Sequence, residues 1–342
     1  MVIVMSPTAT EVDLTEVVSH VEAAGGAAFV SRGVTRTIVG VVGDEHVLES
    51  IDLVTLPSVA EVVRITSPYK LVSREHHPTT STVTVAGVPI GPDTFTFIAG
   101  PCAVETLEQT LAAAELAQKA GATLLRGGAY KPRTSPYAFQ GLGVAGLRIL
   151  AEVRERTGLP VVTEIVDAAD IAVVCEHADM LQIGTRNMQN FPLLQAVGAA
   201  GRPVLLKRGF AASYEEWLMA AEYIAQRGNL DIVLCERGIR TFETATRNTL
   251  DVSAVPMVHR LSHLPIIVDP SHAAGRRDLV VPLARAGMAA GADGVIVDVH
   301  AQPEAALCDG AQALQGEALD ELADAVATLP ALLGRRMAAR LA

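Results

Sequence analysis

From residue 81 onward, short apolar runs alternate with helix-length amphipathic stretches, and nothing else in the chain restricts its fold so tightly. The runs read TFTFIAG, TLLRGG, PVVTEIV, MLQIG, PVLLKRG, IVLCERG, PIIVDPSH and GVIVDVH. Between most of them lie stretches of helical periodicity, among them 107–120, 144–157, 214–226 and 279–290. Six of the eight runs are near-continuous rather than alternating, the pattern of parallel strands buried on both faces. Eight strand–helix units in roughly 250 residues predict a closed (β/α)8 barrel, the TIM barrel. A doubly wound open sheet would want about six strands and a Gly-rich dinucleotide turn, and the sequence has no GxGxxG.

In such a barrel the C-terminal ends of all strands meet on one face. Here those ends carry Cys102, Arg126, Glu164, Arg186, Lys207, Glu236 with Arg237, Asp269 with His272, and Asp298 with His300. One polar strand end could be satisfied structurally; a full circle of them predicts an active site. The set divides by chemistry. Arg126, Lys131, Arg133, Arg186, Lys207 and Arg237 suit more than one anionic group, because guanidinium forks match phosphate and carboxylate bidentately. Cys102, His272, Asp298 and Asp309 offer thiolate, imidazole and carboxylate, a mixed donor set for a divalent transition metal. The other cysteines, Cys175, Cys235 and Cys308, read as core packing.

The stretch 124–143, LLRGGAYKPRTSPYAFQGLG, concentrates this chemistry. Pro132 and Pro136 forbid a continuous helix, so the segment is expected to be a loop of fixed shape hanging from a buried strand. Lys131, Arg133, Thr134 and Ser135 held rigidly there suit a phosphorylated or carboxylated small molecule. The plain alternative is a basic surface loop paired with acidic neighbours.

Residues 1–65 read as a separate unit of order β-α-β-β-α-β, a ferredoxin-like pattern, with helices over 13–24 and 45–56 and a closing strand AEVVRI. Residues 66–80 read as a linker and 81–342 as the barrel. His76 and His77 in that linker are expected at the surface. The net charge of −11 argues against nucleic acid as a partner. No apolar run reaches membrane-spanning length, and the N-terminus MVIVMSPTAT lacks the parts of an export signal. Widely spaced cysteines with no CxxC pair fit a reducing, cytoplasmic setting.

Across nearly its whole length the sequence resembles the type Iβ 3-deoxy-D-arabino-heptulosonate 7-phosphate (DAHP) synthases. The resemblance rests on AGPCAVE, RGGAYKPRTSPYAFQGLG, QIGTRNMQNF, LLKRG, LCERGIRTFE, ATRNTLD, DPSHAAG and DVHAQPEAALCDG. It implies condensation of phosphoenolpyruvate with erythrose 4-phosphate, with a divalent ion (Mn, Fe, Co or Zn) on Cys102, His272, Asp298 and Asp309. It also implies that Arg186, Lys207 and Arg237 hold the phosphoenolpyruvate phosphate beside Thr185, and that Arg126 and Lys131 meet its carboxylate. Arg133, Thr134 and Ser135 would take the aldose phosphate. Lys131, Cys102, His272 and Glu164 would be the catalytic groups, Glu164 either positioning a water or pairing with an arginine. An aromatic amino acid effector and a homotetramer are further implications. Three positions depart from the family pattern: Asp298 replaces the usual Glu, Thr185 the usual Ala, and Ala301 a common Pro. The neighbouring readings are 3-deoxy-D-manno-octulosonate 8-phosphate synthase, which has a different aldose loop and lacks the N-terminal unit, and a non-catalytic paralogue. No segment is long enough for a fused chorismate mutase.

Overall fold

The computed structural model describes residues 1–32, 37–43, 52–63 and 68–339. The chain divides into two compact units, Met1–Pro78 and Thr79–Ala342.

In the first unit, strands β1 (Val2–Met5), β2 (Ala27–Arg32), β3 (Thr37–Val42) and β4 (Val59–Val63) form one sheet in the order β2-β3-β1-β4. β1 runs antiparallel to both β3 and β4, the arrangement expected of a ferredoxin-like unit. The helix Glu11–Ala23 starts where Thr10 and Asp13 exchange side-chain to backbone bonds in a capping box. Its Leu14, Val17 and Val21, spaced at three and four residues, pack on Ile3, Met5, Val39 and Val41 of the sheet. Of the helix expected over 45–56, residues 45–51 lie outside the described residues, and the remainder holds only a 3-10 turn, Leu53–Thr55. His76 is buried, not at the surface, and burial with His77 beside it pushes its imidazole down to about 4.

The second unit opens with a hairpin, β5 (Val83–Val85) and β6 (Val88–Ile90), and then builds the barrel. Its staves are β7 (Thr94–Gly100), β8 (Leu124–Arg126), β9 (Val161–Ile165), β10 (Met180–Ile183), β11 (Val204–Lys207), β12 (Ile232–Glu236), β13 (Ile266–Val268) and β14 (Gly294–Asp298). All neighbours are parallel, and β14 pairs with β7 from Gly294↔Thr96 to Asp298↔Gly100, which closes the cylinder. A short β15 (Arg336–Met337) lies along the other part of β7. Helices begin at competent caps: Thr106 accepts from Gln109 N ahead of Leu107–Lys119, and Ser213 forms a capping box with Glu216 ahead of Tyr214–Ala225.

Strand alternation decides what fills the interior. Ile98, Leu124, Val162, Met180, Leu205, Val233, Ile267 and Ile296, one residue from each stave, pack in a single cluster with Val83, Val85, Val88 and Ile90. The hairpin therefore plugs the N-terminal end of the barrel with apolar side chains. That leaves the opposite end as the only open one for ligand chemistry among the described staves.

Candidate active site

Two residues further along each stave, the same parity brings Arg126, Glu164, Gln182, Lys207, Asp269 and Asp298 toward the interior, with Arg237 two residues after the core residue Cys235. On β7 this place is taken by Gly100, where an added Cβ would sit 2.1 Å from the carbonyl oxygen of Arg126. The glycine lets β7 and β8 approach, and the chain then delivers Cys102 to the mouth. Glu236 has the other parity, contrary to its place among the expected mouth residues. It faces away from Arg237 and pairs with Arg208 at 2.9 Å, which also holds Asp251 at 2.8 Å. His300 does not line the cavity; its Nδ1 accepts from Gln302 N at 3.0 Å. Arg186 stands not on a strand but on the turn Thr185–Asn187.

The loop after β8 is tied at its base, as a loop of fixed shape requires. Lys131 N donates to Gln140 O at 2.9 Å, and Gly143 N to Ala129 O at 2.9 Å. Among the described residues its cations Lys131 and Arg133 make no ion pair with an acidic neighbour, contrary to the plain alternative. Lys131 is buried, with Nζ 3.0 Å from Cys102 O and 3.2 Å from Cys102 Sγ. Arg133 donates to Cys308 Sγ. Thr134 accepts from Arg186 at 3.0 Å, which joins the loops after β8 and β10.

Arg126, Lys131, Arg133, Thr134, Ser135, Glu164, Thr185, Arg186, Lys207, Arg237, His272 and Asp309 all line one cavity of about 440 Å³ at the barrel mouth. Eight of its lining residues are cations once Arg240 and Arg247 are included, and only Glu164 and Asp309 are acidic. So unbalanced a wall suits a ligand with several negative charges. The buried Nε of Arg126 has no hydrogen-bond partner among the described residues. Glu164 makes no ion pair among the described residues; Gln182 Nε2 lies 3.4 Å from it.

At one end of the cavity the metal-type donors converge. Cys102 Sγ lies 3.8 Å from His272 Nε2 and 3.1 Å from Asp309 Oδ2. His272 Nε2 lies 3.7 Å from Asp298 Oδ2 and 3.9 Å from Asp309 Oδ2. Metal bonds of about 2.0–2.3 Å at tetrahedral angles separate ligand atoms by roughly 3.3–3.6 Å, so thiol, imidazole and carboxylate fit a metal ion here. Asp298 is more committed than the others. One oxygen pairs with Arg126, and the other accepts from Gln312 Nε2 at 2.5 Å.

Asp269 joins the two ends. It accepts from Lys207 Nζ at 2.5 Å and from His272 Nδ1 at 3.1 Å, which turns Nε2 toward Cys102. Burial would raise Asp269, but His272 and Lys207 hold it well below the ordinary carboxylate range. Burial pulls His272 down, yet Asp269 and Asp298 outweigh it and hold the imidazole up at about 9. Asp309 is likewise held far below its ordinary range by His272 and Arg247, against its burial.

Sequence reasoning missed several of these groups. Cys308, read as core, lies 3.7 Å from Cys102 Sγ and 3.4 Å from Asp309 Oδ2; its adjacency to Asp309 in LCDG was the available signal. Gln182 was recoverable from alternation along MLQIG. Arg240, Arg247 and Phe210 lie on loops, where no periodicity points a side chain. Cys175 and Cys235 do stay out of the site: Cys235 is in the barrel core and Cys175 is half-buried on the helix Ile171–His177.

Comparison with known proteins adds an independent line. The family model described as "DAHP synthetase I family" matches residues 72–333, and "DAHP synthase ferredoxin-like domain" matches residues 1–67. A phospho-2-dehydro-3-deoxyheptonate aldolase of Thermotoga maritima is 51% identical over 98% of this chain and 99% of its own length. A crystal structure of phospho-2-dehydro-3-deoxyheptonate aldolase (DAHP synthase) from the same organism superimposes with a TM-score of 0.78 at 50% identity, covering 98% of each chain. A 2-dehydro-3-deoxyphosphooctonate aldolase of Magnetococcus marinus is 34% identical over 76% of this chain and 96% of its own. No helix among the described residues is long and apolar enough to cross a membrane.

Proposed function

The chain belongs to the DAHP synthetase I family and condenses phosphoenolpyruvate with erythrose 4-phosphate and water, giving DAHP and phosphate; from that premise we propose how its residues divide the work. The observation that carries the reading is a single cavity joining eight cations to a thiol–imidazole–carboxylate cluster. An enol ether carbon is a weak nucleophile and a hydroxyaldehyde a modest electrophile. Both substrates must therefore be held face to face while the aldehyde oxygen is polarised.

Arg186, Lys207 and Arg237 hold the phosphate of phosphoenolpyruvate, with Thr185 beside them, and Arg126 and Lys131 take its carboxylate. Arg133, Thr134 and Ser135 take the aldose phosphate. Cys102, His272 and Asp309 would hold a divalent ion, with Asp298 as a weaker or indirect ligand; Mn, Fe, Co and Zn all suit such donors. When bound, that ion would polarise the aldehyde oxygen. Lys131, 3.2 Å from Cys102 Sγ, stands between the two ends and is placed to protonate that oxygen as the carbon–carbon bond forms. Glu164, buried and making no ion pair among the described residues, is the group that orients the water adding at the former enol carbon. The surrounding guanidiniums steady the phosphate as it departs. A reducing cytoplasm suits four free cysteines, two of them at the site.

The test is phosphate release from phosphoenolpyruvate with erythrose 4-phosphate or arabinose 5-phosphate. The reading expects turnover with the four-carbon aldose; preference for the five-carbon sugar would instead indicate octulosonate chemistry.

The loop assignment has its own prediction. Arg133→Ala should raise the KM for erythrose 4-phosphate roughly 10- to 150-fold, the scale of one charge-assisted contact, while the KM for phosphoenolpyruvate changes little. Equal losses for both substrates would assign the loop to the wrong ligand.

The N-terminal unit carries the second. We expect it to sense an aromatic amino acid, so Tyr or Phe inhibits the full chain and not a chain starting at Ser81. A truncated chain that is folded, active and still inhibited would remove the sensor from this unit. The assembly expected is a homo-oligomer, a tetramer by family likeness, which sedimentation would establish.

A further inference from the structure

We propose that Phe210 is a positioning residue whose ring gathers the guanidiniums of Arg186, Arg237 and Arg240 into one claw for the phosphate of phosphoenolpyruvate. The proposal rests on the reading above that Arg186 and Arg237 bind that phosphate, and it adds Arg240 as a third member. Phe210 follows Lys207 by three residues on the loop after β11 and lines the cavity. The guanidinium carbons of Arg186, Arg237 and Arg240 lie 5.4, 5.0 and 4.7 Å from its ring centroid. Those three arginines come from two different loops, after β10 and after β12, and all three meet around this side chain. The backbone reinforces the meeting, because Arg240 N donates to Phe210 O at 2.7 Å.

Three like charges around one point repel one another, and a dianion can exploit them only if they are already gathered. Arg237 is fixed by burial, but Arg186 and Arg240 are exposed at their side chains. Arg186 has one hydrogen bond to Thr134, and Arg240 makes no ion pair among the described residues. An aromatic face with negative quadrupole attracts each cation within about 6 Å. The ring thus lowers the energy of the gathered arrangement before ligand arrives, without adding an acidic group that would compete with the phosphate. A carboxylate at the same place would gather the arginines equally well and repel the substrate. Without the ring, Arg186 and Arg240 swing into solvent, and phosphate binding must order them again.

The test is steady-state kinetics on the full-length enzyme for Phe210→Leu, Phe210→Tyr and pentafluorophenylalanine at position 210, with Arg237→Ala alongside. Phe210→Leu should raise the KM for phosphoenolpyruvate about tenfold and leave that for erythrose 4-phosphate within about twofold. Phe210→Tyr should restore it. The pentafluoro ring keeps the shape and reverses the quadrupole, so it should behave like leucine even if the leucine variant folds poorly. A pentafluoro variant that matches the parent overturns the proposal in favour of simple packing. Equal rises in both KM values also overturn it. If Arg237→Ala raises the phosphoenolpyruvate KM and the position-210 variants do not, the phosphate site stands and the platform falls. If Arg237→Ala itself has no effect, the phosphate site is misassigned and the platform falls with it.

Discussion

Asp269→Ala is expected to cost about 3–5 kcal/mol of folding stability, the loss typical of one partner removed from a buried ion pair. Asp269 is 1% exposed and answers the Lys207 ammonium and the His272 ring Nδ1, while also accepting the His272 backbone N–H at 2.9 Å. Removing it strands Lys207, itself buried, with no carboxylate among its described partners. It also frees His272 to rotate, because the Nδ1 bond is what aims Nε2 at Cys102. Metal affinity should therefore fall by about 10- to 100-fold in addition, as it does when a ligating histidine loses its orienting carboxylate. Chemical denaturation and metal retention measured on the same preparation separate the two effects. An unchanged unfolding midpoint would mean that Lys207 finds another partner at no loss.

Asp298→Ala should be comparably damaging, for a related reason. Asp298 is 1% exposed, and Arg126, 3% exposed, depends on it for charge balance. Burial acts to lower Arg126, and the Asp298 carboxylate more than reverses this, so loss of Asp298 leaves an uncompensated guanidinium in the barrel interior. The metal should weaken by one or two orders of magnitude as well. Asp298→Glu should leave metal binding unchanged or tighten it, with activity preserved, because the extra methylene carries a carboxylate toward His272 and Cys102. Metal content and phosphate release after dialysis against graded chelator read both. If Asp298→Ala keeps its metal as well as the parent, Asp298 is not part of the metal site.

The barrel was legible because its strands are buried on both faces, which leaves continuous apolar runs that no helix of this length imitates. The strand ends were legible for the same reason: period-two alternation places Arg126, Glu164, Lys207 and Asp298 on the interior face once the floor residues are known. That rule also exposes the errors. Glu236 and Arg237 are adjacent, so they cannot both face inward, and Glu236 turns outward to Arg208. Arg186 and Arg240 belong to loops, whose directions are set by tertiary bonds such as Arg186 to Thr134 and Arg240 N to Phe210 O. Cys308 was missed because residues 102 and 308 are far apart in sequence and only the closure of β14 on β7 brings their loops together. Asp298 was rightly placed inward, but its partners Arg126 and Gln312 could not be named from spacing.

The central claim is that condensation depends on an ion held by Cys102 beside the cation-lined cavity. Its most direct measurement is a titration of cobalt(II) into chelator-stripped protein, following thiolate-to-cobalt charge-transfer absorption together with phosphate release from phosphoenolpyruvate and erythrose 4-phosphate. The account predicts that band and activity rise together to one equivalent, and that both are lost in Cys102→Ala. Full activity in stripped protein, or activity restored by cobalt without the thiolate band, would contradict it.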